Sequence, residues 1–128
     1  MKTIKTIPLV LFFVIFISCD KEENGTQEQE AQNLNALFLE IENMVSNENC
    51  EDSTEWTFTS YGSKACGGPI GYIAYPLHID VELFLNKIEE HKAQERAFNM
   101  KWGIISNCAL PAEPIGVRCE NGNPVLEY

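Results

Sequence analysis

The sequence predicts the α+β fold class: two amphipathic helices packed on a small antiparallel sheet, with two disulfides. Three observations lead to this prediction. Apolar residues recur at three- and four-residue spacings in two segments. Short runs of aromatic and β-branched residues lie between and after these segments. Four cysteines follow in the rest of the chain when Cys19, which comes directly after the apolar N-terminal run, is counted separately. Residues 31–128 are enough for a single domain with a modest core.

The first helix is predicted over residues 30–46, and the turn-prone residues 47–49 end it. Its apolar stripe consists of Leu34, Leu37, Phe38, Ile41, Met44 and Val45. Two short strands should come next. Residues 55–61 mix large apolar side chains with threonines, which suits a half-buried strand. Residues 71–76 form the second strand, and Pro76 ends it because proline cannot donate to a ladder.

A long second helix is predicted between Asp80 and Gly103. Asp80 suits the N-cap, Glu82 favours the first turn, and Gly103 suits the helix end. One face carries Val81, Phe84, Leu85, Ile88, Phe98 and Trp102, and Ile104-Ile105 is expected to extend this buried surface. The chain then becomes irregular, and Asn121-Gly122 predicts a closing hairpin because both residues tolerate positive φ.

The four remaining cysteines are Cys50, Cys66, Cys108 and Cys119, and their even number in a small domain predicts two disulfides. Three pairings are open. We favour Cys50–Cys66 and Cys108–Cys119, since each would close a local loop rich in turn residues. The alternative to disulfides is a zinc site, but the sequence has no CxxC pair and only two histidines that could serve as further ligands. We therefore expect no metal and no cofactor.

The start of the chain has the order of an export signal. Two lysines precede an apolar run of about eleven residues, and Ser18-Cys19 comes next. This run is shorter than the roughly 20 residues that span a bilayer, which disfavours a transmembrane anchor. An ordinary cleaved secretion signal is the main alternative.

These residues resemble bacterial lipoprotein signals, whose final cysteine carries acyl chains. The resemblance implies a signal peptide over residues 1–18, a lipid such as palmitate on Cys19, and a flexible tether over residues 19–30. Residues 19–23 also resemble the surface-export signal of Bacteroidota lipoproteins. The implied location is the outer membrane, lipid-anchored and facing the cell exterior.

The charge excludes some partners. The full chain has a formal charge of −10, and removal of residues 1–18 takes away two lysines and no acid, which leaves −12. Nucleic acid needs basic contacts to its phosphates, so we expect no nucleic-acid partner. An acidic domain is also poorly suited to lie flat on an anionic membrane.

The segment Ser63-Lys64-Ala65-Cys66-Gly67-Gly68-Pro69 is the candidate binding loop, with Lys64, Gly67, Gly68 and Pro69 as its candidate contact residues. A glycine-rich loop beside a disulfide could insert into a partner with a low ordering cost, or form a nest of N–H groups for an anion. The simpler interpretation is a tight turn whose glycines satisfy the local backbone.

We predict no enzyme. His91 and Glu95 lie four residues apart on the second helix, a spacing more typical of a local hydrogen bond at the core rim than of acid–base catalysis. No GxSxG or HExxH motif occurs. An aromatic sugar-binding platform is conceivable, although such rings are more often core, and its members would be Trp56, Trp102, Tyr61, Tyr72 and Tyr75.

The strings GSKACGGP, YIAY, KWGIISNCALP and VRCENG resemble uncharacterised small exported proteins of Bacteroidota, a resemblance that covers most of residues 31–128 and implies no activity. The expected function is therefore a surface-anchored binding or accessory lipoprotein for a protein or glycan ligand. The alternative is an inhibitor of an exported hydrolase or protease through residues 64–69, with Lys64 as the specificity residue for trypsin-like enzymes.

Overall fold

The computed structural model describes residues 25–128. The expected signal peptide, Cys19 and most of the expected tether lie outside this range. Two helices and four strands alternate along the described chain, which confirms the α+β class. The elements are α1 (Gln27–Asn43), a short 3₁₀ turn (Ser53–Glu55), β1 (Trp56–Tyr61), β2 (Gly71–Pro76), α2 (Val81–Trp102), β3 (Gly116–Glu120) and β4 (Asn123–Glu127).

The strands form two separate antiparallel hairpins, where a single small sheet was expected. In the first, Trp56 pairs with Pro76 and Tyr61 with Gly71, so that residues 62–70 make the connecting loop. In the second, the predicted turn at Asn121-Gly122 is confirmed, with φ values of 51° and 78° that match a type I′ turn.

Helix α1 begins three residues earlier than predicted because Thr26 caps it. The Thr26 hydroxyl accepts a hydrogen bond from the Gln29 backbone, and the Gln29 side chain accepts one from the Thr26 backbone. Residues 27–30, expected in the tether, therefore form the first helical turn. The helix also ends earlier than predicted, at Asn43, and Met44 and Val45 belong to the adjoining turn.

Both predicted boundaries of α2 are confirmed. The Asp80 carboxylate accepts a hydrogen bond from the Leu83 N–H at 3.0 Å, and Gly103 ends the helix in the left-handed region at φ 60°. The two helices run antiparallel, since Glu40 of α1 contacts Lys87 near the start of α2 and Glu30 contacts Lys101 at its end.

Glu30 joins the start of α1 to the end of α2. Hydrogen bonds from Lys101 and from the Trp102 indole lower the pKa of the Glu30 carboxyl below its ordinary value. Glu30 therefore remains charged to a lower pH than a free glutamate, and its contacts weaken only as the pH falls through that lowered pKa.

The core lies where the two helices meet the first hairpin. Its buried members are Ile41, Tyr75, Phe84 and Ile88, with the Tyr75 and Phe84 rings 4.8 Å apart. Phe38, Tyr61 and Ile73 pack around them. Burial of a side chain such as Phe84 stabilises the fold by about 1.5–3 kcal/mol, so this cluster stabilises the packing of both helices on the first hairpin.

All four predicted cysteines form disulfides, but the local pairing was wrong. The bridges are Cys50–Cys119 and Cys66–Cys108, with Cα–Cα distances of 5.2 and 5.5 Å. The reason is tertiary: the Cys50 N–H donates to the Gly122 carbonyl at 2.9 Å, which places Cys50 beside the second hairpin. Sequence separations of 69 and 42 residues imply roughly 4 kcal/mol of stabilisation per bridge in the loop-entropy account.

Candidate functional site: the 62–70 loop and the 103–115 segment

The 62–70 loop, which joins β1 to β2, has an ordered backbone and an exposed tip. The Lys64 carbonyl accepts a hydrogen bond from the Gly67 N–H at 2.9 Å, and the Lys64 N–H donates to the Gly68 carbonyl at 2.9 Å. Residues 65–68 are exposed, whereas Gly62 and Ser63 at the base are buried. The tip is therefore available to solvent on a base that belongs to the folded core.

Helix α2 holds the base of this loop through both backbone groups of Ser63. The Glu95 Oε2 atom accepts the Ser63 N–H at 2.6 Å, and the Asn99 amide donates to the Ser63 carbonyl at 2.7 Å. Glu95 and Asn99 lie one helical turn apart, so one face of α2 satisfies the donor and the acceptor together. Hydrogen bonds to a charged group contribute about 1.5–3 kcal/mol, which makes Glu95 the stronger of these two contacts.

The 103–115 segment, which comes after α2 and has no helix or strand, holds the loop from the other side. Cys66 is covalently joined to Cys108 in this segment. The Lys64 ammonium donates to Asn107 Oδ1 at 2.8 Å and to the Ala109 carbonyl. Two irregular segments that are distant in the sequence therefore form one surface.

Gly68 is favoured at its position by its backbone. Its φ of 84° lies in the region that side chains rarely adopt, and an added Cβ would also displace the end of the flexible Leu110 side chain. Gly67 has a φ of 93° but open space around its Cα. The two glycines that the sequence analysis selected therefore differ: Gly68 admits the 103–115 segment, and Gly67 presents backbone to solvent.

The structure brings Lys64, Gly67, Gly68 and Pro69 into one loop, but it gives Lys64 an unexpected place. Its side chain lies along the protein surface, where Asn107 and Ala109 hold the ammonium. A protease specificity residue projects away from its own protein, so this geometry does not favour the role that was expected of Lys64. Its contacts make it a brace between the two segments.

Exposed apolar side chains occur in the loop, at the end of α2 and in the 103–115 segment. Ile105 was expected to be buried, but it is 93% exposed, which makes that prediction wrong. The chain turns away from the core at Gly103, and none of the described residues covers the Ile105 side chain. Met100, Leu110 and Ile70 are also exposed, at 78%, 64% and 42%. In the sequence, the feature that indicates an irregular segment here is the absence of helical or strand periodicity after Gly103.

Besides a small cavity of about 200 Å³ that Gly62, Pro69, Lys92 and Arg96 help to line, two larger cavities border the loop. One, of about 320 Å³, lies against α2 and is lined by polar, cationic and apolar groups, namely Ser63, Lys64, Ala65, Cys66, Gly67, Arg96, Asn99, Met100 and Ile104. We call it the Arg96 cavity. The other, of about 390 Å³, includes Glu95, Ser106 and Asn107. A larger cavity of about 580 Å³ lies elsewhere, between α1, β2 and β4, and Tyr72 lines it.

The His91–Glu95 pair does not form the hydrogen bond that was expected. The His91 Nδ1 atom lies 3.9 Å from Glu95 Oε2, which is too far, and it has no hydrogen-bond partner among the described residues. His91 is buried with its ring 5.3 Å from that of Phe38. Glu95 is instead committed to the loop through Ser63.

Tyr61 is the last residue of β1 before the loop, and its ring lies 4.7 Å from that of Phe38. Burial, followed by the nearby Glu42 and Glu95 carboxylates, raises the pKa of Tyr61 above its ordinary value. The other candidate platform rings are dispersed: Trp56 and Tyr75 are buried, and the Trp102 indole donates to Glu30. The five aromatic residues therefore do not form one shared surface.

No family model matches the chain, and no curated protein or solved structure is significantly similar to it. Within residues 25–128, neither helix has the length and apolar character needed to cross a bilayer. The same residues contain no group of three or more histidine, cysteine, aspartate or glutamate side chains placed to hold a metal ion.

Replacement of Glu95 by alanine should loosen the 62–70 loop. The buried Ser63 N–H would lose its charged acceptor, so its opening free energy should fall by about 1–3 kcal/mol and its amide exchange should accelerate roughly 5- to 150-fold. Hydrogen exchange measured by NMR tests this prediction. Glu89→Ala, an exposed carboxylate on the same helix, is the control. Equal Ser63 exchange in the wild type and Glu95→Ala would contradict the bracing role.

Proposed function

We propose that this protein is a lipid-anchored, surface-displayed binding protein, without catalytic activity, whose partner is another protein. The partner contacts the exposed tip of the 62–70 loop and the adjoining 103–115 segment. One observation carries the proposal. This irregular surface is held by a disulfide, by hydrogen bonds that Lys64 and Asn99 donate, and by one that Glu95 accepts, yet its tip and its apolar side chains face solvent.

A braced loop favours binding because association must otherwise order the segments that make contact. Immobilising a flexible side chain costs about 0.5–1.5 kcal/mol, and ordering a loop backbone adds to this cost. Here the Cys66–Cys108 bridge has already restricted both segments. Large exposed apolar side chains are typical of protein interaction sites, and Met100, Ile105 and Leu110 are of this kind.

A protein partner is favoured over a glycan because of the side chains that surround the loop. Sugar-binding surfaces commonly offer aromatic rings, and the Arg96 cavity has none among its lining residues. Methionine and aliphatic side chains adapt to apolar side chains of a partner. The inhibitor function remains the alternative, and for trypsin-like proteases it would require Lys64 to leave Asn107 and Ala109.

The proposed anchor explains how the domain is displayed. With lipid on Cys19, only residues 20–26 separate the membrane from α1, and a fully extended chain of that length reaches about 25 Å. The domain would therefore remain close to the membrane surface. Its acidic charge would limit adhesion to anionic lipids, which leaves the loop accessible to partners.

The anchor has a direct test. A Cys19→Ser variant should lose incorporation of radiolabelled palmitate and should leave the membrane fraction, because the thiol that carries the acyl chain is absent. Cys66→Ser is a control for nonspecific acylation of thiols and should retain the label. Palmitate incorporation that persists in Cys19→Ser would contradict the lipoprotein assignment.

The binding surface is tested by photocrosslinking on intact cells. A benzoylphenylalanine placed at Ala65 or Ile105 should give one discrete adduct, whereas the same group at exposed Ala36 of α1 should not. The Ala65 adduct should weaken when Cys66 and Cys108 are both replaced by serine, because the loop would then pay its full ordering cost. Equal adducts at Ala65 and Ala36, or no adduct at either Ala65 or Ile105, would contradict the proposed surface.

A further inference from the structure

The two basic side chains that line the Arg96 cavity lack the ion pairs that the other basic side chains of the described chain form. Residues 25–128 contain sixteen acidic and six basic side chains. Four of the basic side chains pair with carboxylates, in the pairs Lys87–Glu40, Lys92–Glu89, Lys101–Glu30 and Arg118–Glu120. Lys64 and Arg96 have no carboxylate partner among the described residues, and both line this one cavity.

Neither cation forms an ion pair among the described residues. The Lys64 ammonium donates to an amide oxygen and a backbone carbonyl, which are both neutral acceptors. The nearby Glu95 carboxylate keeps its charge while it accepts the Ser63 N–H, but it pairs with neither cation. Two cations beside one carboxylate leave the Arg96 cavity with a net positive charge.

The remaining walls of the cavity are apolar or neutral. Met100 and Ile104 supply apolar lining, and the exposed Gly67 backbone also borders the cavity. A carboxylate that reaches the two cations would form charge-assisted hydrogen bonds, and Met100 offers exposed apolar surface in the same cavity. The volume of about 320 Å³ lies at the lower end of the range of ligand pockets.

We propose that the Arg96 cavity binds a carboxylate of a peptide segment in the protein partner. Arg96 and Lys64 face the carboxylate, and an apolar side chain next to it in the peptide packs against Met100 and Ile104. This inference rests on the proposed binding function and names the chemistry that the site recognises. Sugar acids would supply the carboxylate but no apolar side chain, so the apolar wall favours a peptide.

The test uses the ¹⁵N-labelled protein purified from membranes in detergent. The probe is the hexapeptide acetyl-Gly-Ser-Leu-Glu-Ser-Gly-amide, and its matched control carries Gln in place of Glu. Titration followed by NMR should shift the Arg96 side-chain N–H and the Gly67 amide. The Gln peptide should bind about tenfold more weakly or worse, because its neutral amide oxygen has no charge to attract the two cations and accepts weaker hydrogen bonds than a carboxylate.

Two variants locate the effect. Arg96→Gln should reduce the affinity for the Glu peptide about three- to fivefold, because Lys64 alone then faces the carboxylate, and it removes no hydrogen bond or ion pair from the described structure. Arg118→Gln, which removes a cation paired with Glu120 in the second hairpin, should leave the affinity unchanged. A Leu→Ser change in the peptide should also weaken binding, since the apolar wall would lose its contact.

Several outcomes would overturn the proposal: no binding of the Glu peptide at millimolar concentration, equal affinity for the Glu and Gln peptides, or unchanged affinity in Arg96→Gln. Binding of glucuronate as tight as that of the peptide would also overturn it, in favour of an acidic sugar. If the peptide fails while the Ala65 crosslink forms, only the carboxylate assignment falls. If the crosslink fails as well, the proposed function falls with it.

Discussion

The Cys66–Cys108 disulfide is the interaction on which the candidate surface depends. It joins two segments that have no ladder or helix of their own, the 62–70 loop and the 103–115 segment. A bridge that closes a 42-residue separation restricts the unfolded chain by roughly 4 kcal/mol in the loop-entropy account. This disulfide and the hydrogen bonds of the Lys64 ammonium fix the two irregular segments relative to each other, although both lie outside the core.

Helix α2 connects this surface to the interior. Its buried face supplies Phe84 and Ile88 to the core, and one turn near its end supplies Glu95 and Asn99 to Ser63. The same helix then presents Arg96 to the cavity. The loop is therefore positioned by an element that is itself fixed by packing, which is the arrangement that a rigid binding surface requires.

The features that could be predicted from the sequence are those that local chemistry decides. Asp80 and Gly103 mark the ends of α2 because a cap and a left-handed residue act on their own neighbours, and Asn121-Gly122 makes a hairpin for the same reason. The capping box at Thr26 and Gln29 was also readable, as a threonine followed three residues later by glutamine. The cysteine pairing, the exposure of Ile105 and the bracing role of Lys64 depend on contacts between distant segments, which periodicity and turn propensity do not encode.

The proposed binding surface requires that the 62–70 loop is preorganised before a partner binds. Backbone ¹⁵N relaxation of the unbound protein measures this directly. We predict order parameters near 0.85 for residues 64–68, close to those of the flanking strands. Values below about 0.6 across the tip would contradict it, because a loop that moves freely on this timescale would have to be ordered by its partner.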